Sequence, residues 1–104
     1  MNDFTVPKDH INFLAKKLFD NCGEIIDGSI AYLDVDGGGP IESHTHEHSH
    51  LFIVISGEAR IKLGDKETIV GANESFLVDG MIPHSVWNNI NIQTVMIGIS
   101  VKSN

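Results

Sequence analysis

A chain of 104 residues, 41% hydrophobic and 20% charged, can fill one compact core and is too short for two. Its 7 Lys and Arg stand against 14 Asp and Glu, a formal charge of −7. That sign repels phosphate backbones and anionic lipid heads, so nucleic acid and membrane surfaces are excluded as expected partners. The single cysteine, Cys22, excludes an intrachain disulfide framework and a thiolate zinc cage.

In chain order, Met1 to His10 carries two aspartates and a lysine, with no apolar stretch behind it of the kind a signal peptide needs. The longest apolar runs, Leu51 to Ile55 and Val95 to Ile97, are too short to span a bilayer. The expectation is a soluble, cytoplasmic protein with a single domain over residues 1–104. From Asp9 to Cys22, the apolar residues Ile11, Leu14, Ala15, Leu18, Phe19 and Cys22 recur at three- and four-residue spacing. Thr5 and Asp9 are candidate caps, and Gly23 can close the segment. This pattern predicts a helix over about residues 8–23 that covers one face or end of the domain.

After Gly28 the period becomes two. Ser29 to Asp36, Leu51 to Ser56, Ala59 to Leu63, Lys66 to Val70, Ser75 to Val78, His84 to Asn88 and Ile92 to Val101 all read as strands. Turn chemistry separates them at Gly37-Gly38-Gly39-Pro40, Ser56-Gly57, Gly64-Asp65, Gly71-Ala72-Asn73, Asp79-Gly80 and Asn88-Asn89. Seven short strands at near-regular intervals predict an all-β sandwich or barrel over about residues 29–101.

Between the first two of these strands lies His44-Thr45-His46-Glu47-His48-Ser49-His50, four histidines in a window where composition alone gives about 0.4. Neutral imidazole suits first-row transition metals, and His44 and His46, two apart on a strand, present both rings to one face. A solvated His-rich loop is the alternative, but the window runs directly into the strongly apolar LFIVIS stretch. His46-Glu47-His48-Ser49-His50 also matches H-E-x-x-H. That zinc-protease pattern needs a helix, which a stretch between a triple glycine and a β-branched strand does not supply.

These residues and their order resemble the cupin superfamily. Gly39, then His44-Thr45-His46, then His50, then Gly57 follow the spacing of the first cupin motif. Gly71, the turn Asp79-Gly80-Met81-Ile82-Pro83, and His84 followed by Asn88 follow the second. The resemblance covers Gly39 to Asn88 and implies a jelly-roll β-barrel fold. It also implies a metal held by His44, His46, His50 and His84. His50 stands where the family more often has Glu, so the implied ligands are four imidazoles. The proline usual before the second-motif glycine is missing, and the turn ahead of His84 is one residue longer.

Four neutral ligands leave a divalent ion its full +2, which favours an anionic ligand and leaves no ligating carboxylate to accept a proton. The expected cofactor is one divalent transition metal per chain, whether manganese, iron, nickel, copper or zinc. Phe52, Val54, Phe76 and Trp87 are candidate pocket walls, and a place in the core fits each of them equally. His48 reads as a solvated turn residue, with support of the metal ligands or substrate contact at the mouth as the alternative. Glu42 and Glu47 read as solvated carboxylates near the mouth, with a role as bases or hydrogen-bond acceptors as theirs. No catalytic residue is assigned. The implied function is metal-dependent, oxygenase-type chemistry on a small anionic or enolisable molecule. The alternatives are an isomerase or decarboxylase, or a non-catalytic metal- or small-molecule-binding module. Apolar residues on both faces of Leu51 to Ile55 and of Val95 to Ile99 predict a homodimer.

Overall fold

The fold, a computed structural model, describes residues 3–102 and is all-β. Its strands are β1 (Glu24–Leu33), β2 (Gly38–His44), β3 (Ser49–Ser56), β4 (Glu58–Leu63), β5 (Lys66–Gly71), β6 (Glu74–Val78), β7 (His84–Asn88) and β8 (Thr94–Lys102). They form two antiparallel four-stranded sheets, ordered β1-β8-β3-β6 and β2-β7-β4-β5, the layered arrangement of a jelly roll. Every strand read from the sequence is present, although β1 begins at Glu24 instead of Ser29 and β8 at Thr94 instead of Ile92.

The period-two pattern does its work between the sheets. Phe52 and Val54 of β3, Ala59 and Ile61 of β4, Val70 of β5, Val78 of β6, Met96 of β8 and Leu33 of β1 form one buried cluster. One side chain ties the strand ends together. Asn88 is buried, and its amide nitrogen donates to the carbonyls of Leu33, Asp34 and Ile92. Its oxygen accepts from the Ile90 N–H and the Thr94 hydroxyl.

An additional strand, β2, occupies the stretch that composition assigns to a glycine-rich turn. Gly38 pairs with Trp87 and Gly39 with Val86, then the register slips before His44 pairs with His84. A Cβ at Gly38 would lie 2.6 Å from Cε3 of Trp87, so only glycine lets β2 approach β7 here. The glycines serve close strand approach as well as turning.

The helix expected over residues 8–23 does not form. Residues 3–23 are irregular, with positive φ at Asp9, Asn12 and Asn21, residue types that tolerate the left-handed region. Thr5 and Ala15 exchange two backbone hydrogen bonds of 2.8 Å and close a loop. The expected apolar stripe is not buried as one: Ile11 is 87% exposed and Leu14 55%. Instead, single residues dock on the outer face of the first sheet. Phe19 and Cys22 line a hollow with Ile25, Leu51, Ile99 and Val101, and the Ser75 hydroxyl donates to the Leu18 carbonyl. A helix this short gains little from its own hydrogen bonds, so the docking of individual side chains decides the path. No helix among the described residues is long and apolar enough to cross a membrane.

Candidate metal centre

The two sheets bring distant histidines together at one end of the molecule. His44 ends β2 and pairs directly with His84, the first residue of β7 in the same sheet. His50 stands on β3 of the other sheet, between Val78 of β6 and Ser100 of β8. His46 and His48 lie on the connection from β2 to β3 that bridges the sheets. Ring centroids of His44 and His84 are 5.0 Å apart, His44 and His46 5.1 Å, His46 and His84 4.8 Å, His46 and His50 4.6 Å, and His50 and His84 5.6 Å. The four histidines singled out in the sequence therefore gather at one end, with His46 common to a group with His44 and His84 and to a group with His48 and His50.

Backbone carbonyls set the tautomers of two of them. Nδ1 of His84 donates to the Ile82 carbonyl at 2.8 Å, and Nδ1 of His46 donates to the His48 carbonyl at 2.7 Å. In a neutral ring each donation leaves Nε2 with its lone pair, the arrangement that metal-binding histidines use. Nε2 of His46 and His50 lie 3.0 Å apart. Nε2 of His84 is buried with no hydrogen-bond partner among the described residues. Burial first, and then the charge its neighbours would carry, lowers the His50 pKa from 6.5 to about 4. His84 is lowered too, by burial first, against an opposing pull from the Ile82 carbonyl. Both rings are therefore neutral, with lone pairs available, near pH 7.

The donor set fits a transition-metal ion. The ligand atoms of His44, His46 and His84 lie within 4.8 Å of one another, as do those of His46, His48 and His50. Among the described residues, the groups that could hold an ion contain only histidines. Two ligands at about 2.1 Å from one ion, at right angles, are about 3.0 Å apart, which is the spacing seen between His46 and His50. Glu42 and Glu47 are exposed and belong to neither group.

The loop ahead of His84 supports the centre. Gly80 N–H donates to the Ser49 hydroxyl, and the Gly80 carbonyl accepts from the His46 N–H at 2.8 Å. A Cβ at Gly80 would run into the His48 carbonyl and lie 2.7 and 2.8 Å from O and Nδ1 of His46. The same loop supplies the Ile82 carbonyl that orients His84.

A cavity of about 210 Å³ adjoins the cluster, reached by His44, His50 and His84 and lined also by Phe52, Val86, Gly98 and the serines 29, 85 and 100. Of the candidate walls only Phe52 faces it, its ring 5.5 Å from that of His50. Val54 and Phe76 belong to the core. Trp87 lies on the other side of β7 from Val86, where its Nε1 donates to the Ser85 hydroxyl.

The family model for the cupin domain matches residues 31–100, well over half of the chain. The chain is a cupin. The cupin fold is similar to that of a cupin domain from an XRE family transcriptional regulator of Enterobacter cloacae, at 20% identity and TM-score 0.66, over 75% of this chain and 82% of that one. A predicted oxalate decarboxylase from Thermotoga maritima aligns with TM-score 0.67 and 13% identity, over 76% of this chain and 68% of that one. A conserved Streptococcus pyogenes protein of unknown function aligns with TM-score 0.65 and 18% identity, over 74% of this chain and 64% of that one. The cupin thus spans less than two-thirds of the length of that protein. These likenesses are of fold. No curated protein matches the chain.

One residue of this cupin's cluster is missed by sequence reading. His48, expected in a solvated turn, is half-buried and stacked on His46 with ring centroids 4.1 Å apart and planes 11° apart. The strict alternation of His44, His46, His48 and His50 was the available signal.

Proposed function

We propose that this cupin holds one divalent transition-metal ion on His44, His46, His50 and His84. In this reading it acts on a small anionic or enolisable molecule in the adjoining cavity by oxygen-dependent chemistry. The observation that carries the reading is the buried Nε2 of His84, without a hydrogen-bond partner among the described residues, beside a His50 ring whose pKa burial lowers to about 4. Burying an unpaired ring nitrogen costs about 1–3 kcal/mol, which a bound cation would offset. Such an ion would supply Lewis-acid or one-electron chemistry, according to its identity.

The chain's own residues set what can bind. Four neutral ligands, with no carboxylate at the cavity among the described residues, leave a net positive centre, so an anion is favoured. Seryl hydroxyls at residues 29 and 100 can orient polar groups, while Phe52 and Val86 keep one wall dry. A cavity of about 210 Å³ admits only a small molecule. The Thermotoga maritima neighbour, described as a predicted oxalate decarboxylase, agrees with a small carboxylate.

A non-catalytic binding module is the second reading, favoured by a specific feature. Among the described residues, the cavity lining holds no carboxylate, lysine or tyrosine to move protons, only the histidines themselves. The regulator cupin of Enterobacter cloacae is a neighbour consistent with it. Elemental analysis and electron paramagnetic resonance on protein purified without a His-tag test the metal. Oxygen uptake with oxalate and other small carboxylates then separates the readings. One redox-active ion per chain with steady uptake supports the enzyme. A bound ion with carboxylate binding but no uptake supports the module, and no bound ion refutes the enzyme and leaves only a metal-free small-molecule module.

A further inference from the structure

His48 lies outside the four-histidine set, yet it packs against that set more closely than a turn residue needs to. Its ring is stacked on His46 and stands nearly perpendicular to His50, at 88° with centroids 5.1 Å apart. His46 stands to His50 in nearly the same way, at 87° and 4.6 Å. His50 therefore faces two parallel imidazoles at similar range.

Stacking decides how these rings can share an ion. Imidazole binds metal in the plane of its ring, and planes 11° apart with centroids 4.1 Å apart cannot both contain one ion at bonding distance. His46 has no spare nitrogen for a second ion, since Nδ1 is engaged with the His48 carbonyl. His48 also borders a separate hollow with Ile26, Glu47 and Lys102, none of which lines the cavity beside His44 and His84.

We propose that His48 is an exchange ligand: an ion arriving from the Glu47 side binds His48 and His50 and passes to His46, with His50 as the common ligand. This rests on the reading of the cluster as a metal centre. The two positions are alternatives for one ion, so His48 sets how fast the centre loads and empties without setting how tightly it holds.

The test follows cobalt(II) absorption during loading of the metal-free protein by stopped flow, and during stripping by excess chelator. Wild type should take one cobalt per chain. His48→Ala, shown folded by thermal unfolding, should also take one, with equilibrium affinity within about twofold of wild type. Both its loading and its stripping should slow at least fivefold. In His46→Ala, where His48 is the remaining alternative, adding His48→Ala should weaken binding a further tenfold or more. Unchanged rates in His48→Ala overturn the proposal, as do two cobalt ions per wild-type chain. A tenfold loss of affinity at an unchanged loading rate also overturns it, by making His48 an ordinary ligand. If wild type binds no cobalt, the metal reading itself fails.

Discussion

Gly80→Ala isolates the role of the loop before His84. The new methyl would meet the His48 carbonyl and sit 2.7 and 2.8 Å from O and Nδ1 of His46, where carbon–oxygen contacts ordinarily need about 3.3 Å. His46 must therefore retreat by about 0.5 Å, and metal–ligand distances tolerate only about 0.2 Å. The fold should bear this as an overpacking of about 1–3 kcal/mol, since the crowded segment is a connection between strands. The centre should bear it as a loss of about 10- to 100-fold in metal affinity, the usual cost of disturbing groups that orient ligands. Gly28→Ala is the control, because a Cβ there meets nothing closer than 3.7 Å. Competition of each variant against a chromophoric chelator for zinc or cobalt gives the affinities, and thermal unfolding without metal gives the fold. A folded Gly80→Ala protein that binds as tightly as wild type would refute the argument that backbone crowding holds His46 in place.

His50→Glu should keep the metal but lower the centre's charge from +2 to +1. At about 4 Å and an effective dielectric of 20 that is worth up to about 4 kcal/mol to a bound anion. Azide titration should show at least several-fold weaker binding, and equal affinities at equal metal content would remove His50 from the ligands. Asn88→Ala should cost about 3 kcal/mol in urea unfolding, because five polar groups on three sides lose a buried partner. With the His50 pKa lowered to about 4, the folded state binds fewer protons than the unfolded one between that value and 6.5. The stability of the metal-free protein should therefore rise with pH across this window and be lost as pH falls through it. His50→Gln should flatten that part of the profile, and an unchanged slope would assign it elsewhere. Light scattering should show a dimer. An antiparallel copy of β1 on its own free edge sets exposed Ile25 opposite exposed Tyr32, with no carboxylate opposite another. An 11.4 kDa monomer at micromolar concentration would contradict this.

The strands were legible because each half-buried segment alternates and each ends in residues that turn the chain. What was not legible depended on partners far away in sequence. Gly38 looks like a turn residue until Trp87 is found against it. Ile11, Leu14 and Leu18 carry helical spacing, but what Leu18 and Phe19 meet is an outer sheet face assembled from β1, β3, β6 and β8. The His-rich window pointed to a metal site by itself, whereas His84 joined it only through the resemblance to the cupin motifs. The place of His48 was not legible, because the window is no single strand: it leaves β2 after His44 and joins β3 at Ser49. Trp87 could have been placed correctly, since alternation from His84 already puts it on the opposite face.

The strand order governs how the molecule must assemble. Glu24 pairs with Lys102 and Gly38 with Trp87, so each sheet closes only after a long stretch of chain has been brought back on itself. Only β4 and β5, joined at Gly64-Asp65, form a local hairpin that can appear within microseconds. The remaining pairings pay loop-closure entropy before they gain contacts, which places folding in the millisecond-to-second range typical of non-local β-topologies. His84 and His50 stand in different sheets, so their approach must await both closures, whereas His44, His46, His48 and His50 are neighbours even in the unfolded chain. An unfolded chain can therefore chelate ions with that window. Metal added before refolding should accordingly stabilise the native state by less than its affinity for the finished centre implies.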